Sequence, residues 1–330
     1  MIRSGFRLAA LVLAGALAVS GCGGKRDDAD QAGSGGSGGG RLTIATGNTT
    51  GVYYQLGGGL ARLIDQNVEG YKATASETGA SVQNIQGLVA GRYDIAFSLA
   101  DSAGDAVRGE GSFEEPQPIE ALTRLYPNYT HVLVRSDSGI ESIADMKGKR
   151  VSTGSPNSGT EVIARRLLEE AGLDPDRDVQ AQRLGLPETQ DAMKDGTVDA
   201  MFWSGGLPTS GITDLTTTMG DDVKLLDISD ALEGMQAEYG PIYEAGVIPA
   251  DTYDLPSDVP TIVVPNVLLV KEGFDPELAE KLVTLLFEKR ADLEQVNSAA
   301  AGITLETAKK TDPIPLNPGA EKALDELGAK

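Results

Sequence analysis

The chain has 330 residues, with 28 lysines and arginines against 49 aspartates and glutamates, a formal net charge of -21 at pH 7. Such an excess of negative charge repels nucleic acid and anionic lipid and excludes a role built on binding either through charge. The only cysteine and the only histidine, Cys22 and His131, count against a zinc site of imidazole and thiolate and against a serine–histidine triad unless His131 itself serves.

The amino terminus comes first in chain order. Arg3 and Arg7 precede an apolar run, Leu8 to Val19, that is too short for a permanent spanning helix, and small residues follow it. This pattern predicts a secretory leader over residues 1–21. No later apolar stretch reaches the roughly 20 residues that a spanning helix needs. Val19-Ser20-Gly21-Cys22 resembles the bacterial lipobox, which implies cleavage before Cys22 and its acylation; the alternative is an incidental or buried thiol. Loss of Arg3 and Arg7 with the leader takes the charge from -21 to -23. Residues 22–40 then form the lipidated end and a glycine-serine tether, unable to bury enough apolar surface to order itself. Its 18 residues from Gly23 to Gly40 have a root-mean-square reach of roughly 24 Å.

From Arg41 onward, strand and helix signals alternate. Arg41–Ala45 reads as a strand, Tyr53–Asn67 as a helix, Tyr93–Leu99 as a strand, and the pattern continues past Arg150–Thr153. The alternation predicts an α/β protein with parallel sheets. Two devices occur twice. Thr46-Gly47 leads through a polar loop to Gly51 and a helix, as Thr153-Gly154 leads to Gly159 and a helix. Gly91-Arg-Tyr-Asp94 opens a strand ending Phe97-Ser98, as Gly196-Thr-Val-Asp199 opens one ending Phe202-Trp203-Ser204. Helical segments Asn84–Ala90 and Glu188–Asp195 precede them. Two similarly built lobes facing one another would aim all four devices at one cleft, since parallel sheets bind ligands beyond the carboxyl ends of their strands.

Each glycine-rich loop admits two readings. Backbone N–H groups at a helix amino terminus suit a carboxylate or phosphate; equally, Ser158 or Thr160 could simply cap a turn. Gly154 to Thr160 approaches a P-loop but lacks its lysine, which counts against a nucleotide triphosphatase. Tyr54 is expected at the cleft, beside Tyr53. Trp203, the only tryptophan, is either core or a wall for the ligand's carbon skeleton. Asp94 and Asp199 are expected to cap turns, Asp101 near Ser98 to accept a bond from a ligand amino group, and His131 to be packed or hydrogen-bonded within a strand. Among so many carboxylates no acid–base dyad stands out.

At these residues the sequence resembles the TAXI family, solute receptors of TRAP transporters. The resemblance rests on Thr46-Gly-Asn-Thr-Thr-Gly-Val-Tyr-Tyr54, Tyr126-Pro127, Asp137-Ser-Gly-Ile140, Met146-Lys-Gly-Lys-Arg-Val151, Gly159-Thr-Glu161, Asp199-Ala-Met-Phe-Trp203 with Pro208, Val264-Pro-Asn-Val-Leu-Leu269 and Pro315-Leu-Asn-Pro-Gly-Ala320. It covers essentially Arg41 to Lys330. It implies a type II periplasmic-binding-protein fold, two α/β lobes (41–136 with 256–330, and 137–255) joined by a two-strand hinge at His131–Arg135 and Thr261–Val270. It implies a TRAP membrane permease as partner and, as solute, an acidic amino acid or dicarboxylate such as glutamate or 2-oxoglutarate. Gln55 stands where many relatives have proline, and Asn317 where histidine is frequent.

The ligand-binding set expected from loops and resemblance together is Gly47, Asn48, Thr49, Gly51, Tyr54, Ser98 and Asp101 on one lobe. The other lobe supplies Asn157, Ser158, Gly159, Thr160, Trp203 and Ser204. The expectation is a monomeric, lipid-anchored extracytoplasmic binding protein, without cofactor, metal or catalytic residue, that captures a small carboxylate. The rival expectation is a sensor whose closed clamp docks on a signalling receptor; an enzyme on the same fold is a third.

Overall fold

A computed structural model describes residues 39–330; the expected leader, Cys22 and most of the 22–40 tether lie outside them. Among the described residues there are ten strands: β1 (Arg41–Ala45), β2 (Lys72–Ser76), β3 (Ile95–Leu99), β4 (Ile119–Arg135), β5 (Arg150–Ser152), β6 (Gln180–Gln182), β7 (Ala200–Gly205), β8 (Val223–Leu225), β9 (Glu244–Ile248) and β10 (Val259–Lys271). The helices that shape the site are α1 (Val52–Asn67), α2 (Ser81–Val89), α3 (Ala100–Arg108), α4 (Gly159–Glu170), α5 (Leu186–Lys194) and α6 (Ser210–Met219).

The expected repeat extends to individual hydrogen bonds. In the first lobe β1 lies between β2 and β3, all parallel; in the second, β5 lies between β6 and β7, again parallel. The Asp94 carboxylate accepts the N–H of Thr43 at 2.7 Å, and the Asp199 carboxylate accepts that of Arg150 at 2.9 Å. The preceding glycines, Gly91 and Gly196, both hold positive φ, 71° and 67°, where a side chain would be strained. Each aspartate thus fastens its strand to the neighbouring one. In the second lobe Arg150 also pairs with Asp199 and holds that carboxyl below the usual carboxylate range.

Burial follows strand alternation. Ile44 and Leu268 face one core with Leu56 of α1 and Leu282, while their neighbours Ala45 and Leu269 face another with Ile85 of α2. In the second lobe Val132, Val134 and Phe202 pack on one face and Leu133 and Met201 on the other. Apolar side chains therefore cover both faces of each half-sheet, as helix-flanked parallel strands require.

The long strands β4 and β10 join the halves. Their carboxyl- and amino-terminal ends exchange partners: β10 pairs with β3 at Asn266–Leu269 and with β9 at Val259–Val263, while β4 pairs with β7 at Tyr129–Val134. Between these segments Pro127 faces Pro265, and the register shifts between Pro265 and Val267. Two prolines opposite one another supply no N–H to the ladder, so the exchange falls here. His131–Arg135, expected in the crossover, instead lies beyond it, paired to β7 and β8.

His131 is fully buried, as its place in an apolar strand suggested. Its Nδ1 lies 3.0 Å from the Tyr129 carbonyl, which can only accept, so Nδ1 carries the proton and Nε2 accepts from the Tyr253 hydroxyl at 3.0 Å. Burial pushes its pKa down to about 4, against the opposing backbone contacts. The unfolded chain, with an ordinary histidine near 6.5, therefore binds more protons between those values. The contribution is fully present above pH 6.5 and is lost as pH falls toward 4. Acidification from pH 7 to 5 is expected to remove about 2 kcal/mol of stability through this group. His131→Gln should show a correspondingly smaller loss in urea unfolding at the two pH values; equal losses would refute the assignment.

Candidate functional site

Three helix amino termini meet at the interface of the lobes. Helix α1 begins after Gly51, α2 after Ala80 and α4 after Ser158, and these residues line one cavity. The cavity is small, with about 30 Å³ open to the centre of a water molecule, where 10–15 Å³ or so suffices for one water. None of its lining side chains is charged. It lies beyond the carboxyl ends of β1, β3, β5 and β7, where an open parallel sheet exposes its loops.

The second loop turns at Gly154, whose φ of 96° and the 2.7 Å from an added Cβ to the Thr160 methyl leave no room for a side chain. Ser158 then caps α4, its hydroxyl oxygen accepting the Glu161 N–H at 2.9 Å. The serine therefore caps the helix, as one reading of this loop expected, and it also faces the cavity. Gly159 abuts the first lobe so closely that a Cβ would lie 2.6 Å from Ser81 Oγ. Trp203 forms a wall across the lobes, its ring edge 3.3 Å from where a Cβ on Gly51 would sit. Its indole N–H donates to Thr209 Oγ1 at 3.2 Å, and the Thr209 N–H donates to the Tyr253 hydroxyl that in turn bonds His131. Buried His131 thereby sets the loop that carries the tryptophan wall.

At the strand crossing, Tyr53 donates its hydroxyl to Asn266 Oδ1 at 2.6 Å, Asn128 Nδ2 donates to the same oxygen at 3.1 Å, and Ser204 donates to Asn128. Burial raises the Tyr53 and Tyr126 pKa values well above the ordinary tyrosine value, so both hydroxyls keep their protons.

Of the expected residues, Gly47, Asn48, Gly51, Ser158, Gly159, Thr160, Trp203 and Ser204 line the cavity; Thr49, Tyr54, Ser98, Asp101 and Asn157 do not. Tyr54 sits one position along the helix from Tyr53, which turns it aside. Thr49 is exposed. The Ser98 hydroxyl is fully buried and donates to the Leu99 carbonyl. The Asn157 side chain is exposed, and its carbonyl accepts the Gln83 N–H of the other lobe at 2.9 Å. Asp101 turns away from the cavity, accepting from the Tyr243 hydroxyl at 2.8 Å. The sequence reading missed Tyr53, Tyr126, Asn128, Ser155 and the Gly79-Ala80-Ser81 turn. That third turn carried a usable signal, a glycine and a serine immediately before a helical pattern.

A family model described as the NMT1-like family matches residues 44–328. The chain belongs to the NMT1-like family. Among solved structures, it is similar to a protein from Bordetella bronchiseptica RB50 at a TM-score of 0.54 and 18% identity, covering 86% of this chain and 88% of that one. A protein described as a periplasmic transporter matches at 0.52 and 14%, covering 88% and 93%. The alkanesulfonate-binding protein SsuA from Xanthomonas axonopodis pv. citri, bound to MOPS, matches at 0.49 and 18%, covering 87% and 90%. The fold of this NMT1-like chain is that of periplasmic binding proteins: two lobes, each a mostly parallel sheet flanked by helices.

The lobes of this NMT1-like protein are also tied outside the cavity. Arg166 of α4 reaches Asp105 of α3 at 2.6 Å and lies 3.6 Å from Asp101, donates to Tyr243 at 2.8 Å, and stacks 4.2 Å from the Tyr239 ring centre. Burial opposes its charge, but Tyr243, Asp101 and Asp105 outweigh that and raise its pKa above the ordinary arginine value. Asn48 adds a polar bridge, accepting the Leu186 N–H at 3.0 Å. Among the described residues no cluster of three or more histidines, cysteines or carboxylates is placed to hold a metal, and no helix is long and apolar enough to cross a membrane.

Removing Arg166 leaves Asp101 buried without a cation and Asp105 with only Arg108, 3.1 Å away, a loss worth about 3–5 kcal/mol if Asp101 stays buried. Separation of the lobes would relieve that by rehydrating both. Arg166→Ala is therefore expected to enlarge the radius of gyration in small-angle X-ray scattering and to lower the unfolding temperature. A variant matching wild type in both measurements would show that this cluster does not hold the lobes together.

Proposed function

We propose that this NMT1-like chain is the extracytoplasmic solute-binding protein of a TRAP-type uptake system of the TAXI kind, anchored through acylated Cys22 and closing its lobes on a small carboxylate. One observation carries the ligand reading: three helix amino termini from two lobes converge on a small cavity that no charged side chain lines. Such termini favour an anion through oriented N–H groups and the helix dipole. Their field is local, and so offsets the unfavourable charge of the whole chain. The TAXI reading is supported by the ordered motifs from Thr46 to Ala320; family membership agrees with it at a coarser level.

Closure between lobes is the means of capture. A solute bridging Ser158 on one side and the Gly51 and Ala80 turns on the other would add contacts that only the closed form offers, and would shift the protein toward it. The closed form would then be what the membrane permease receives.

Thermal unfolding against amino acids, dicarboxylates, 2-oxo acids and sugars tests the ligand class. A carboxylate at 100 times its dissociation constant should add about 2.7 kcal/mol, raising the midpoint by on the order of 5–10 °C. Ser158→Ala with Thr160→Ala should weaken the responding ligand at least about tenfold. A response only to neutral sugars would discard the carboxylate. Metabolic labelling with a radioactive fatty acid should mark the wild-type protein and not Cys22→Ser; label on both would remove Cys22 as the anchor.

A further inference from the structure

The charge character of the cavity separates two kinds of solute that a carboxylate site could take, a distinction that rests on the carboxylate proposal itself. An acidic amino acid brings an ammonium group as well as its carboxylates; a dicarboxylate or 2-oxo acid does not. In the cavity the available groups are asymmetric. On the donor side are three helix amino termini and the Ser158 hydroxyl, whose oxygen already accepts the Glu161 N–H and whose hydrogen is therefore free to donate. Tyr126 is a further donor. It lines the cavity, is 1% exposed, and its hydroxyl has no hydrogen-bond partner.

On the acceptor side the two side-chain amide oxygens that line the cavity each already accept a bond, and the remaining side-chain oxygens are neutral hydroxyls. Asn48 Oδ1 accepts from Leu186 and Asn128 Oδ1 from Ser204. No aspartate or glutamate lines the space. Asp101, the carboxylate expected to receive a ligand amino group, is committed to Tyr243 and lies within reach of Arg166 instead. An ammonium here would face the positive ends of three helices with no counter-charge, and a buried unpaired charge is strongly disfavoured. A carboxylate meets the opposite condition at the same place.

We infer that the solute is a carboxylate carrying no ammonium group, and that the Tyr126 hydroxyl donates to it. The role of Tyr126 comes from its burial: a tyrosine hydroxyl enclosed without a partner is costly, and an anion in the cavity is the acceptor that would satisfy it.

Matched pairs of acids decide between the two kinds of solute. The purified wild-type protein is titrated calorimetrically with glutarate, 2-oxoglutarate and L-glutamate, and with succinate and L-aspartate. The expected result is binding by at least one deaminated acid, with its amino counterpart weaker by about a hundredfold or more. An amino acid binding as tightly as its deaminated partner overturns this inference and leaves the carboxylate proposal standing. No binding by any carboxylate, with a response to neutral solutes, overturns both. For the acid that binds, Tyr126→Phe, which keeps the ring and its packing, should weaken affinity about tenfold or more. Unchanged affinity in that variant overturns the role given to Tyr126.

Discussion

The antiparallel pairing of β4 with β10 is the constraint on which the site depends. Each strand serves both half-sheets, so the carboxyl ends of β1 and β3 on one side and of β5 and β7 on the other point toward one interface. Pro127 opposite Pro265 interrupts that ladder where the strands change partners. Of the residues next to the interruption, Tyr126 and Asn128 consequently lie both at the crossing and on the cavity wall, and Asn266 stands behind them. Asn266 takes bonds from Tyr53 and Asn128 and donates its own N–H to the Tyr126 carbonyl at 2.9 Å. A fully buried asparagine is tolerated there because its polar atoms are matched.

Charge is handled differently in two neighbouring regions. Inside the cavity there are no ionised side chains, and the field comes from backbone dipoles that need no reorganisation. Just outside it, Arg166 and its two aspartates concentrate full charges in a buried cluster that bridges α3 and α4. The arrangement keeps fixed charges out of the cavity lining while pairing α3 of one lobe with α4 of the other. Burying such a cluster stabilises little by itself, since desolvation offsets the attraction. What it adds is geometric: the guanidinium of one lobe meets two carboxylates of the other, with one tyrosine bonded to it and a second stacked on it.

The two repeated devices were legible because they depend on local chemistry. Gly91 and Gly196 adopt φ values that favour glycine, and Asp94 and Asp199 satisfy an N–H of the adjacent strand. The helix-opening loops were legible for the same reason, and eight of the expected residues meet in the cavity. The misplaced residues show where local chemistry stops deciding. Tyr53 and Tyr54 are adjacent and chemically identical; which faces the cavity depends on the rotation of α1 about its axis, set by packing of Tyr53 on Phe97 at 5.2 Å between ring centres. Asp101 is near the cavity in sequence, yet Arg166 and Tyr243, distant in sequence, take it away.

By itself the sequence determined the α/β alternation, the internal repeat and the glycine turns, because each rests on interactions between residues close along the chain. It also determined that His131 would be buried, since the surrounding strand is apolar. Only the tertiary structure decided that β4 and β10 exchange partners at facing prolines, that α2 adds a third helix terminus, and that Tyr126 is left with an unpartnered hydroxyl. Those features depend on contacts between segments far apart in the chain, which local pattern does not encode.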